Sequence, residues 1–321
     1  MSLFPVANDP PTKLGIYRVL SSRAGVRVSP LALGAMSIGD KWGPHGMGSM
    51  HKESMIWAEI SSILRMDRRV IRIVHWTDEA PSQYTTNYKR GNDAIAQKRG
   101  SDLKKLRTSY IDILYLYWWT SIPEVMGSLH NLVTARKVLY LGISDTSSWV
   151  VALANQYAID HGKTPFVVDQ GRWSILDRSL EREIVPMAKT LGLAISPRGV
   201  LAEGKMRTDA DEQRRRETAL EKVATEIGVG DNITAVAIAY VMQKAPYVFP
   251  IIGGRKVEHL KANMKALDIS LSKEQIEYLD DIVPFDPGFP TTAIGDGSSY
   301  NIFLASTAKM AKLPTLQPIK P

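Results

Sequence analysis

Ile111-Asp112-Ile113-Leu114-Tyr115-Leu116-Tyr117 is the stretch on which the reading of the fold turns. Apolar or aromatic side chains fill nearly every position instead of every second one. A strand with one wet face must alternate; a strand covered on both faces need not, and that is the pattern of a parallel sheet. Working outward, similar short runs recur at Val138–Ile143, Phe166–Val168, Leu193–Ile195 and Val248–Ile251. Between them the apolar spacing changes to three and four. Pro123 opens one such stretch, carried by Val125, Met126, Leu129, Leu132 and Val133, and others span Ser147–His161 and Glu181–Thr190. Further helices are expected at 211–227, 232–244, 256–266 and 272–283. Upstream, Val70–Trp76 reads as one more strand. Strand and helix alternate every ~25–30 residues, as in a (β/α) barrel or a doubly wound sheet. No GxGxxG follows an early strand and the glycines cluster late, which favours the barrel. Residues 284–321 are turn-rich, beginning Pro284-Phe285-Asp286-Pro287-Gly288-Phe289-Pro290, and are expected to lie across one barrel face.

The 321 residues carry 40 Lys+Arg and 33 Asp+Glu, a formal charge of +7, and no cysteine. Disulfides, thiolate metal sites and a cysteine nucleophile are therefore excluded. The six histidines have no metal-ligand spacing, so no metal is expected. Basic residues are scattered, and the triplet Arg214-Arg215-Arg216 lies between Glu212 and Glu217. That reads as a solvated helix face; no nucleic-acid partner is expected, and a modest cation excess suits a phosphorylated small molecule. No apolar run has the ~18 residues of a membrane span, and the first residues lack the apolar core of a signal peptide. The expectation is a cytoplasmic protein without a membrane partner.

Several segments carry a more specific signal: Tyr17-Arg18-Val19-Leu20-Ser21-Ser22, Gly25-Val26-Arg27-Val28-Ser29-Pro30-Leu31, Leu33-Gly34-Ala35-Met36-Ser37-Ile38-Gly39-Asp40 and Tyr84-Thr85-Thr86-Asn87-Tyr88. Together with the strand–helix units up to about Phe289, they resemble the aldo-keto reductases. Within that family the chain is similar to the fungal branch of aryl-alcohol dehydrogenases and norsolorinic-acid-reductase-like enzymes. The resemblance implies one α/β domain over residues 1–321, a (β/α)8 TIM barrel with the segment around its second strand shortened. It also implies NADP(H) as cofactor. The reaction would be hydride transfer between a carbonyl and an alcohol, on an aromatic, polyketide or terpenoid intermediate of fungal secondary metabolism.

By the same resemblance, Ser144 and Asp145 after one strand and Gln170 after the next would hold the nicotinamide carboxamide. An amide needs both a donor and acceptors to fix which ring face meets the substrate. Read without the resemblance, Ser144 and Asp145 could instead cap the helix that begins near Ser147. The segment from Pro250 to Asn263 would hold the adenosine 2′-phosphate. Gly253 leads into a helix N-terminus, Arg255 supplies a bidentate charged donor, and His259 and Asn263, one turn apart, would face the adenine. Ser196–Lys205 resembles the pyrophosphate loop, although Glu203 would repel a diphosphate.

The catalytic positions depart from the family, whose members carry an Asp, a Tyr, a Lys and a His. No Asp-Thr-Ala…Tyr motif occurs in residues 55–83, Gln83 aligns with the Lys, and Tyr117 stands where the His is expected. Tyr117, at a strand end, is the candidate replacement proton donor; packing into the vacated space is the alternative. His75 and Asp78 form a second possible acid–base pair. A catalytically impaired NADP-binding barrel with a regulatory or binding role is thus the other functional reading.

Overall fold

The computed structural model describes residues 8–34, 73–75, 109–117, 121–201, 210–253, 257–283, 285–295, 302–309, 311 and 314–321. An antiparallel hairpin comes first, β1 (Arg18–Ser21) with β2 (Ala24–Val28). It is followed by β3 (Ala32–Leu33), β4 (Ile73–His75) and β5 (Ile111–Tyr117). Then strands and helices alternate: α1 (Ile122–Thr134), β6 (Val138–Ser144), α2 (Ser148–Asp160), β7 (Phe166–Gln170), α3 (Ile184–Leu191) and β8 (Ala194–Ile195). The chain continues through α4 (Ala210–Glu226), α5 (Ile233–Lys244), β9 (Ile251–Ile252), α6 (Val257–Met264) and α7 (Lys273–Asp281). Two short helices, α8 (Thr291–Ile294) and α9 (Ile302–Thr307), lie in the turn-rich tail.

Strands β4 to β8 form one parallel sheet in sequence order. Ile73–His75, read from sequence as part of a strand, pairs with Ile113–Tyr115. Beyond β8 the ring continues: Ile195 bridges Val248 in parallel, and Phe249 N donates to Ile195 O at 2.8 Å. That same segment ends in β9, which pairs in parallel with β3. The order β3–β9–β8–β7–β6–β5–β4 is that of a barrel wall. The interval between β3 and β4 corresponds in sequence to residues 35–72, outside the described residues.

The doubly covered strands explain the continuous apolar runs. On the outer side, Ile111, Leu114, Leu116, Leu141, Ile143 and Phe166 pack against the helices. On the inner side, Ile113, Tyr115, Val168 and Phe249 meet Leu20, Ala24 and Val28 of the hairpin, which plugs the end where the strands begin. Residues Thr315–Pro318 of the tail line a recess with Ser22, Gly192 and Tyr247 at that same end. The opposite rim, where the strands finish, is the functional end of such a barrel.

Two buried amides tie helices to neighbouring backbone, one to a strand and one to the segment before α7. Asn155 of α2 donates Nδ2 to Phe166 O at 3.1 Å and accepts Phe166 N at 2.8 Å, replacing the ladder bonds that the start of β7 lacks. Gln243 of α5 does the same for Ile269 O and Leu271 N. Each bond of this kind is worth about 1 kcal/mol when made and more when stranded. Helix α5 is buried from Ala235 to Gln243 on every side, which is why its sequence is apolar all round. Gly142 is required by close approach: a Cβ there would stand 2.6 Å from Tyr115 Cδ1 and 3.0 Å from Val168 Cγ1.

Candidate active site

The register of the parallel sheet builds the site. Tyr117 pairs with Ser144, and Ser144 with Gln170, so three strand ends place their last side chains in one row. Neighbouring strands lie about 4.8 Å apart, and paired residues share a face of the sheet. Ser144 Oγ lies 2.7 Å from Asp145 Oδ2 and 3.3 Å from Gln170 Oε1, and its single hydrogen is donated within that pair. Ser144 and Gln170 are buried, and Tyr117 is partly so. Gln170 Nε2 has no hydrogen-bond partner among the described residues.

Asp145 turns the chain out of β6. Its φ of 48° lies in the left-handed region, which Asp and Asn tolerate better than most residues, and its N–H donates to Gln170 O at 2.9 Å. Its carboxylate takes the Ser144 hydroxyl on one oxygen and Arg198 Nη2, at 2.8 Å, on the other. Neither Ser144 nor Asp145 caps the following helix, whose N-cap is Ser147. The capping alternative is thereby set aside.

Two groups at this rim escape a reading by motif. Arg198 is one, because it finds Asp145 across two strand ends. The other is Asp169, next to Gln170, which is 1% exposed and whose Oδ2 has no partner among the described residues. Burial, reinforced by the Asp145 charge, pushes its carboxyl up to about 8. An acid inside a run buried on both faces was the available sequence signal. Tyr115, buried on the inner side and hydrogen-bonded to Ser196, has its phenol raised by burial, with Asp169 adding to the shift.

The other end of the expected cofactor site is described only in part. Gly253 is exposed at the end of β9, and His259 is exposed on α6. Asn263 is not turned outward beside His259. It is 3% exposed, and its Nδ2 donates to Gly253 O at 3.2 Å, so it ties the loop to the last turn of α6. Arg255, Glu203, Gln83 and Asp78 lie outside the described residues, and of His75 only the backbone is described.

Chemically, the row offers Ser144 Oγ as an acceptor, since its hydrogen is already spent, and Gln170 Nε2 as a donor. That donor set fits a planar primary carboxamide, whose NH2 and C=O need one of each.

Comparisons with known proteins give the lineage. Residues 69–284 match the profile described as "Aldo/keto reductase family". The aryl-alcohol dehydrogenase (NADP+) of Phanerodontia chrysosporium is 45% identical over 384 aligned positions, covering 100% of both chains. Since this chain has 321 residues, at least 384 − 321 = 63 of those positions have no residue here. The aldo-keto reductase ausK of Emericella nidulans is 41% identical, covering 99% of this chain and 94% of its own. The norsolorinic acid reductase of Aspergillus flavus is 38% identical, covering 99% and 97%. Among solved structures, a thermostable aldo-keto reductase crystallised with the inhibitor epalrestat superposes with a TM-score of 0.63 at 21% identity, covering 83% of this chain and 99% of its own. That likeness bears on the fold, and agrees with the (β/α)8 barrel expected from the sequence. With the profile spanning more than half of the residues and such relatives matched end to end, the chain belongs to the aldo/keto reductase family.

Proposed function

We propose that the protein is an NADP(H)-dependent oxidoreductase that interconverts a carbonyl and an alcohol, acting on an aromatic, polyketide or terpenoid intermediate of fungal secondary metabolism. The observation that carries this reading is the row Tyr117–Ser144–Gln170 at the strand ends, with a buried acceptor and an uncommitted amide donor side by side. The names of the relatives, an NADP+-dependent aryl-alcohol dehydrogenase and a norsolorinic acid reductase, support the cofactor and the substrate class. When bound, the cofactor supplies the hydride. Ser144 and Gln170 orient the carboxamide and so decide which face of the ring is presented. Gly253 and Arg255 serve the adenosine 2′-phosphate and His259 faces the adenine, with Asn263 holding the Gly253 loop against α6. Tyr117, at the end of the row, donates its hydroxyl proton to the nascent alkoxide.

Among the described residues, no helix is long and apolar enough to cross a membrane. We place the enzyme in the cytoplasm, as a single barrel over residues 1–321 with 284–321 as its tail, and assign it a small-molecule substrate and no nucleic-acid partner.

The test is turnover of NADPH against substituted benzaldehydes, followed by loss of nicotinamide absorbance, for the parent and Tyr117→Phe. Loss of about 10²–10⁴-fold in kcat with NADPH affinity unchanged is expected of a missing general acid. A second reading is favoured by Tyr117 and Gln83 standing where the family has His and Lys: an NADP-binding barrel with impaired chemistry. Tight NADPH binding with no turnover in the parent would select it; absence of binding would sink both.

A further inference from the structure

Arg198 stands just past β8, and its backbone is pinned on both sides. Its N–H donates to Gly171 O at 2.9 Å, and its carbonyl accepts Trp173 N at 3.1 Å, so the segments following β7 and β8 continue as a parallel bridge. Trp173 is itself fully buried, with Nε1 donated to Glu181 Oε1 at 3.0 Å. From this anchored base the guanidinium reaches back to the end of β6 and holds Asp145 Oδ1 at 2.8 Å.

The consequence runs along a chain of bonds. With Oδ1 occupied by Arg198, Asp145 presents Oδ2 to Ser144. The Ser144 hydrogen is then donated inside the cluster, between Asp145 Oδ2 and Gln170 Oε1. Toward a ligand, Ser144 Oγ can therefore only accept. Gln170, using Oε1 inward, turns its NH2 outward and can only donate. A serine hydroxyl and a glutamine amide are each both donor and acceptor when free. Here an ion pair one residue removed fixes which they are.

We propose that Arg198 is a positioning residue for the nicotinamide end of the cofactor: by holding the Asp145 carboxylate, it sets the hydrogen-bond polarity with which Ser144 and Gln170 receive a primary carboxamide. This rests on the cofactor reading above. Arg198 touches neither the cofactor nor the reacting atoms in this role; it acts through Asp145. A guanidinium suits the task because its planar fork is always charged and directs its donors rigidly.

The experiment compares two ligands by equilibrium titration, NADPH and adenosine 2′,5′-bisphosphate, which shares the adenosine phosphate and lacks the nicotinamide. The proteins are the parent, Arg198→Met, Arg198→Lys and the double variant Arg198→Met with Asp145→Asn, each checked for cooperative thermal unfolding. Arg198→Met is expected to weaken NADPH about tenfold, the scale of a lost charge-assisted bond, and to leave the bisphosphate within about twofold. Arg198→Lys keeps the charge and should lose about threefold for NADPH alone. The double variant should recover most of the NADPH affinity, because the neutral amide introduced by Asp145→Asn needs no cation and its oxygen still accepts from Ser144. Equal weakening of both ligands would overturn the proposal in favour of a structural role, as would a double variant no better than the single one. Should Arg198→Met fail to fold, Arg198→Lys and the double variant carry the same comparison. A folded parent that binds the bisphosphate but not NADPH would overturn the proposal alone, whereas one that binds neither overturns the cofactor reading itself.

Discussion

Asp169→Asn isolates one buried proton. The Asp169 carboxyl is 1% exposed, lacks a partner for Oδ2 among the described residues, and is held at about 8 by burial and by the Asp145 charge. In the unfolded chain the same group titrates near the ordinary aspartate value of about 3.9. Between those values the folded protein keeps the proton and the unfolded chain has lost it, so unfolding releases about one proton. Stability from this group is complete below about pH 4 and falls as pH rises through about 8. The slope is about 1.4 kcal/mol per pH unit, or about 3 kcal/mol between pH ~5 and ~7. An unfolding entropy of about 2.1 cal/mol/K per residue gives roughly 0.7 kcal/mol/K for this chain, so the shift amounts to about 4 °C. Asn has nearly the same shape and no proton to lose. Its unfolding midpoint, measured beside the parent at several pH values, should gain on the parent steadily as pH rises across that window. Every other titrating group is common to both proteins and cancels. A difference in midpoint that stays constant from pH ~5 to ~7 would show that Asp169 does not hold a raised carboxyl, whatever the sign of the constant.

Gly142→Ala should cost about 1–3 kcal/mol in denaturant unfolding, since the new methyl meets Tyr115 at 2.6 Å and β5 and β6 cannot separate without breaking their ladder. Glu181→Ala should cost about 3 kcal/mol: the carboxylate accepts Arg178 and the indole of buried Trp173 and lies 3.4 Å from Lys244, so truncation strands donors that are mostly out of water. An effect within about 0.5 kcal/mol would mean that Asp280, which also contacts Arg178 and Lys244, carries that network alone. Gln170→Leu should weaken NADPH about fivefold without changing affinity for adenosine 2′,5′-bisphosphate, the loss of one neutral hydrogen bond at the carboxamide.

The barrel was legible because its physics is local and repeated. Ile111–Tyr117 had to be covered on both faces, and the apolar spacing of α1 and the all-round apolarity of α5 followed from where each helix sits in the outer layer. The row of Tyr117, Ser144 and Gln170 was legible too, since each closes a strand and parallel register brings strand ends together. The pairing of Asp145 with Arg198 was not, because the partners are 53 residues apart and meet only through the bends after two different strands. The burial of Asn263 was not legible for a related reason. Four-residue spacing puts it on the face of His259, but α6 ends against the chain at Gly253, and that last turn is buried where the preceding one is wet. Periodicity reports which residues share a face; it does not report where a neighbour begins to cover that face.

The charges at the rim make sense only as a set. Two carboxylates, Asp145 and Asp169, are close enough that the Asp145 charge raises Asp169, and among the described residues Arg198 pairs with Asp145. The Asp145 carboxylate is partly exposed and paired with Arg198, whereas Asp169 is buried beside that charge, and burial and the like charge together favour its protonated form. The geometry decides which of the two meets the cation. Asp145 follows the end of β6, where a left-handed backbone swings its carboxylate toward the loop that carries Arg198. Asp169 lies within β7, paired with Ile195, and has no such reach. Asp169 thus keeps its proton first because it is buried and second because the Asp145 charge lies nearby. The pairing of Arg198 with Asp145 orients the hydroxyl of Ser144 and the amide of Gln170. A substitution at Asp169 should accordingly register in stability against pH and leave the carboxamide site intact, whereas one at Arg198 disturbs that site first.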